Sequence, residues 1–264
     1  MTQTKEKMTK AYRVAQEMLK DRLKDVDQSM AEEFDELNES DIVIVRGTYD
    51  FIEQVFNGIG LKYKIVSVEA LDTMQLDPEQ IVFINCPGTV SDKALRNLVS
   101  FVEKGGFLFT TDWALKYVLE PAFPGIVKFN DKATPDAVVA VQPTASENPM
   151  LDGIFDKNAD PQWWLEGSSY PIKILDSRKV EILIDSAEIG RRWGESPVVI
   201  QDTVHGGATL GCFQQGQQFG RDLCYLGTGQ CAQGQIGLGG IGRVQASPHP
   251  RDGSLTTHAC QTNQ

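Results

Sequence analysis

Two short apolar runs in this 264-residue chain lead straight into residues able to do acid, base or nucleophilic chemistry: Phe107–Thr110 into Thr111-Asp112-Trp113, and Ile81–Asn85 into Cys86-Pro87-Gly88. If both runs are buried parallel strands, Asp112 and Cys86 share the carboxyl edge of one sheet, where open α/β folds bind ligands. Asp112 would serve there as an acid, a base or a ligand-binding carboxylate. The competing expectation is an N-cap for a helix starting near Trp113, worth about 1 kcal/mol. Cys86 acts as a thiolate only if the helix beginning at Ser91 directs its N-terminus at the sulfur; otherwise a free Cys in this position is a small buried apolar residue. Arg46-Gly47-Thr48-Tyr49-Asp50 follows a third run, Ile42–Val45, so its loop joins the same edge. Backbone donors at Gly47 and Thr48 would suit an anion, with an ordinary strand-to-helix turn as the alternative. The predicted lining of the edge is Thr48, Tyr49, Cys86, Gly88, Thr111, Asp112 and Trp113.

Trp163-Trp164 with Glu166 form the densest aromatic pair. They would stack on a sugar or cover a pocket, although a doublet alternating across an element usually puts one ring in the core. Arg191-Arg192-Trp193 reads as a basic surface against an acidic body. Gly237-Leu238-Gly239-Gly240-Ile241-Gly242 matches the dinucleotide fingerprint G-x-G-x-x-G, but no acidic residue lies about 20 positions on, and Pro248 and Pro250 interrupt any helix. Cys212, Cys224, Cys231 and Cys260 show no short paired spacing. The sequence therefore predicts no cofactor and no metal.

The elements that must position these residues follow from periodicity. From Met8 to Leu37 apolar residues recur at steps of three or four, which predicts one amphipathic helix, either laid along its own domain or serving as a homodimer seam through residues 8–37. After Ser40, short apolar runs at Ile42–Val45, Lys62–Val66, Ile81–Asn85 and Phe107–Thr110 predict parallel strands buried on both faces. Helices are expected at Tyr49–Asn57 and Ser91–Lys104, the second capped by Ser91 and stopped by Gly105-Gly106. Closely spaced runs at Ile126–Phe129, Val138–Val141, Ile172–Leu175, Val180–Ile184 and Val198–Ile200 predict antiparallel strands, with Asp176-Ser177-Arg178 as a turn. The expected fold class is α/β: a three-layer, doubly wound, mostly parallel sheet with helices on both faces, plus the long N-terminal helix. The expected division is 1–39 for that helix, 40–200 for the α/β domain and 201–264 for a tail.

A formal charge of −11 opposes any phosphate-backbone partner or anionic membrane surface. The charged stretch Met1–Lys10 and the absence of about 18 consecutive apolar residues predict neither secretion nor membrane spanning. Five Cys, only one before residue 200, predict a reducing, cytoplasmic setting. Composition breaks near residue 201: no Lys or Glu follows, while 13 of 24 Gly and all three His do. Such a stretch buries little apolar surface and is expected to be poorly structured. A hypothesis for the break is translation out of frame, which resequencing around codon 200 tests.

Ile81 to Gly88, the helix after it, and Phe101 to Asp112 through Gly105-Gly106 resemble the class I glutamine amidotransferase-like superfamily. Glu147-Asn148-Pro149-Met150-Leu151-Asp152-Gly153-Ile154 is similar to a "His-Pro-leucine…Gly" segment of its trehalose-utilisation-like branch, with Asn148 where His is usual. The resemblance covers roughly Ser40 to Ile200 and implies a flavodoxin-like core. It would also imply a nucleophilic Cys at the turn after Phe107–Thr110, where this chain has Asp112, and a late His and Glu. Here no His precedes His205 and no Glu follows Glu195. The resulting expectation is a degenerate, non-catalytic member that binds a small molecule or protein partner at the sheet edge. The alternatives are a hydrolase acting on a small or sugar-like substrate through Asp112 and Cys86, and an adaptor that oligomerises through its N-terminal helix.

Overall fold

A computed structural model describes residues 28–151, 155, 161–202 and 209–212, with isolated positions 14, 17, 21 and 24. The first core strand, β1 (Ile42–Val45), is buried along its whole length, as the unbroken apolar run requires. It pairs in parallel with β2 (Lys64–Val66) on one side and β3 (Ile81–Ile84) on the other. β3 pairs in parallel with β4 (Phe107–Thr111), and β4 with β12 (Thr209–Cys212). The order β2-β1-β3-β4 makes the chain reverse direction across the sheet between β1 and β3. In open α/β sheets such a reversal point is where a crevice forms beyond the carboxyl ends of the strands.

The sheet continues from β12 through β11 (Pro197–Asp202) and β10 (Val180–Asp185) to β7 (Gln142–Pro143), all antiparallel. Two small antiparallel ladders stand apart from it: β5 (Val127–Phe129) with β9 (Ile172–Ile174), and β6 (Ala137–Ala140) with β8 (Gln162–Leu165). The antiparallel second half agrees with the close spacing of its runs. The boundary drawn at residue 200 falls inside β11, and β12 carries the sheet past it. A Val/Ile run can be read from composition, whereas the Thr-Leu-Gly-Cys strand becomes one only through its ladder bonds to β4 and β11. The glycine-rich motif at 237–242 and Cys224, Cys231 and Cys260 lie outside the described residues.

Helix α1 spans Gln28–Glu36, and the isolated described positions 14, 17, 21 and 24 are also helical. Phe34 is its buried anchor in the main core. Helix α2 (Ile52–Ile59) buries Ile52, Val55, Phe56 and Ile59 and ends at Gly60, whose φ of 77° suits glycine. It starts three residues later than the predicted Tyr49, because Thr48 and Tyr49 are held by the carbonyl of Cys86 and Asp50 turns inward. In α3 (Asp92–Glu103) Ser91 caps as expected, its Oγ accepting from the Ala94 N–H at 3.1 Å. Gly106 is required where the chain leaves α3, since a Cβ there would stand 2.2 Å from the Phe101 ring. β10 and β11 are joined by α4 (Ala187–Trp193), capped by Ser186.

Among the described residues no helix is long and apolar enough to cross a membrane.

Candidate functional site

Each strand facing the crevice delivers polar groups at its carboxyl end. The β1 turn places Asp50 inward, 3 % exposed; β3 ends in Asn85 and Cys86, 1 % and 2 % exposed; β4 ends in Thr111 and Asp112. Asp112 adopts φ 38°, a left-handed conformation that an L-residue takes only when its surroundings impose it. This strained turn, an elbow between a buried strand and the helical segment Leu115–Leu119, has a carboxylate at its tip.

Hydrogen bonds tie the three ends together. Thr111 Oγ1 bonds to Asp50 Oδ2 and accepts from the Cys86 N–H at 3.0 Å. Asn85 Nδ2 donates to Glu53 Oε2 at 3.0 Å. Cys86 Sγ lies 3.8 Å from Asp112 Oδ2, and Asp112 Oδ1 accepts from the Tyr170 N–H at 2.9 Å. The Asp112 side chain therefore does not cap its own helix, and the N-cap expectation is replaced by a bond to a distant loop. The anion reading of the Gly47-Thr48 turn fails for a similar reason: the N–H groups of Thr48 and Tyr49 both donate to the Cys86 carbonyl, at 2.9 and 3.3 Å. Gly47 instead permits close approach, since a Cβ would stand 2.5 Å from the Cys86 carbonyl oxygen and from Asn85 Cβ.

Electrostatics in this cluster are one-sided. Burial pushes Asp50 up from 3.8 to about 8, with Glu53 adding to the rise and Thr111 opposing it. Burial likewise raises Asp112 well above the usual carboxylate range against the Tyr170 N–H, and Asp50 and Glu166 push the same way. The Cys86 thiol is pushed far up, first by burial and then by Asp112 and Asp50. At neutral pH Asp50 holds its proton and Cys86 is a thiol. Desolvation first, and then the two carboxyls, set the acidity of the sulfur.

An aromatic row covers the cluster. Trp113 stacks on Tyr170 with centroids 4.9 Å apart and planes 3° apart, and Tyr170 stacks on Phe129 at 3.8 Å. Tyr49, 46 % exposed, tilts against Trp113 at 5.9 Å. Trp113 Nε1 donates to the Ser168 carbonyl at 2.7 Å, so the loop carrying Glu166, Ser168 and Tyr170 is latched over the elbow. Lys116 Nζ lies 5.4 Å from the Phe129 centroid and 5.7 Å from that of Tyr170.

Cys86 lies within hydrogen-bonding reach of Thr111 and Asp112, Thr48 and Tyr49 bond to the Cys86 carbonyl, and Trp113 packs against Tyr49. Gly88 contributes packing, since with φ 65° a Cβ would stand 2.9 Å from Ala114 Cβ. Trp163 is core, 4 % exposed, and pairs across the ladder with Val139; Glu166, two residues beyond the doublet, reaches the site instead. Arg192 of the basic triplet pairs with Glu188 at 2.6 Å. Asn148 pins its turn to the sheet, donating to Glu181 and Gln201 at 2.7 and 3.1 Å. Asp50, Glu53, Asn85 and Tyr170 were not among the predicted site residues. Asp50 had a signal, a carboxylate five residues past a buried strand, whereas Tyr170 arrives from a loop 58 residues beyond Asp112. Among the described residues no group of three or more His, Cys, Asp or Glu has the arrangement to hold a metal.

No family model and no curated protein matches the sequence. Among solved structures the chain is similar to a ThuA-like protein from Bacteroides uniformis, at 12 % identity over 70 % of this chain and 85 % of that one, with a TM-score of 0.51. It is also similar to a GMP synthase protein from Thermoplasma acidophilum, at 15 % identity over 72 % and 93 % of the two chains, with a TM-score of 0.44. The first of these likenesses is one of fold: the α/β architecture here is shared with a ThuA-like protein.

Proposed function

We propose that this chain is a non-catalytic, amidotransferase-like domain that binds a small ligand at the carboxyl edge of β1, β3 and β4. One observation carries the reading: the tip of the strained elbow, where a nucleophile would be presented, holds Asp112, and the Cys86 thiol beside it is kept protonated by burial and by two flanking carboxyls. A Cys-dependent hydrolase needs the thiolate, and a general base must take a proton readily near neutral pH. Cys86 supplies no thiolate, and Asp112 is engaged by the Tyr170 N–H and the thiol itself. What the edge offers a guest is recognition, through the exposed Tyr49 ring, Trp113 and the polar groups behind them.

Thermal-shift screening of a small-molecule panel, followed by Trp fluorescence titration of each hit, tests this reading. The expected result is saturable binding that Trp113→Phe and Asp112→Asn weaken, with no turnover of glutamine or ester substrates. Turnover that disappears in Asp112→Asn or Cys86→Ser, with folding retained, overturns it in favour of a hydrolase.

A further inference from the structure

The charges acting on the buried site are all of one sign. Among the described residues, those that shift Asp50, Asp112 and Cys86 are the carboxyls of Glu53, Asp50, Asp112 and Glu166. A second, independent observation is an orphan acceptor: Asp50 Oδ1 is buried and accepts no hydrogen bond. A buried polar atom without a partner costs about 1–3 kcal/mol and calls for a donor. The third is the placement of the rings. Tyr49 immediately precedes Asp50 and Trp113 immediately follows Asp112, and the two rings tilt toward each other with centroids 5.9 Å apart.

We propose that the Tyr49–Trp113 edge takes a small primary ammonium ion, with Asp50 and Asp112 as its counter-charges; this rests on the ligand-binding reading above. A primary ammonium brings three N–H donors and no acceptor, which matches an acceptor lacking a donor among like-charged neighbours. Rings within about 6 Å of a cation add attraction through their faces. Lys116 already uses this preference further along the same row, over Tyr170 and Phe129. An anion would meet carboxyl groups and no cation, and a neutral guest of the same shape would bring no positive charge to draw the protons from Asp50 and Asp112. A metal ion is the poorer fit, because the described acids do not assemble a three-ligand group.

Binding is linked to protons. Asp50 faces Thr111 of β4, Cys86 at the end of β3, Glu53 of α2 and Asp112 of the elbow; Asp112 also faces Tyr170 and Glu166 of the latched loop. A cation seated there favours the ionised acids, so each binding event releases protons and affinity rises with pH toward about 8.

The test is calorimetric titration of the full chain with benzylammonium and with benzyl alcohol, its neutral isostere, at about pH 6.5 and about pH 8. The expected result is ammonium binding at least about tenfold tighter than the alcohol, tighter at the higher pH, with the preference lost in Asp50→Asn. Asp112→Asn serves as the second variant, and far-UV circular dichroism confirms that each folds. Equal binding of alcohol and amine overturns the ammonium proposal while leaving a ligand site at this edge standing. Binding of neither, or a preference that survives in both variants, overturns it as well.

Discussion

Replacing Asp50 by Asn should make the protein less sensitive to rising pH. In the native state Asp50 keeps its proton up to about pH 8, whereas in the unfolded chain it loses it near 3.8. Between those values the native state binds more protons than the unfolded one, so stability falls as pH rises. The slope from one such group is about 1.4 kcal/mol per pH unit. Its effect is absent below the unfolded value, grows through the window and levels off above about 8. From pH 5 to pH 7 the wild type should thus lose roughly 2–3 kcal/mol through Asp50 that Asp50→Asn does not lose. Asp112 is raised in the same direction, in part by Asp50, so the difference between the two proteins reports Asp50 together with its coupling to Asp112. The assay is urea unfolding followed by far-UV circular dichroism at pH 5, 6 and 7, read as midpoints at unchanged m. Parallel pH profiles for the two proteins would refute the reasoning, because they would mean that Asp50 has the same proton affinity folded and unfolded.

Gly47→Ala should destabilise the fold by about 1–3 kcal/mol at unchanged m, since the added Cβ meets a carbonyl oxygen and a Cβ at 2.5 Å rather than a flexible side-chain end. A neutral or stabilising result in urea unfolding would show that the turn sits further from β3. Native Cys86 should resist iodoacetamide at pH 8 and react as soon as the chain is unfolded, as followed by peptide mass spectrometry, because it is 2 % exposed and its thiol is held protonated. Labelling of the Cys86 peptide at equal rates in both states contradicts that environment.

How much of this was legible from residues alone divides along a physical line. β1, β3 and β4 announce themselves because strands buried on both faces must be apolar throughout, and Ser91 announces α3 because a hydroxyl is the natural acceptor for its free N–H groups. Strand order then puts Cys86 and Asp112 at the ends of neighbouring parallel strands. What the side chains do at that edge is less visible. The register of Tyr170 against Asp112 depends on a loop closing over a distance no local pattern encodes. The inward turn of Asp50 depends on Gly47 lying flat against Cys86, and a single glycine in sequence reads equally well as a turn or an anion cradle. β12 was missed because its glycine and cysteine carry no alternation that marks a strand.

That same strand bears on the order of events during synthesis. β12 is the seam between the parallel and antiparallel parts of the sheet, yet its partner β4 lies about a hundred residues earlier in the chain. Until residue 212 has left the ribosome, Phe107–Thr111 is an open edge of five apolar and hydroxyl-bearing residues with unpaired backbone groups, the kind of surface to which another nascent chain adds readily. Pairings that span so much sequence form late. The growing polypeptide must therefore be shielded through this interval, and any event that stops translation between residues 112 and 209 should yield aggregate rather than a soluble half-domain.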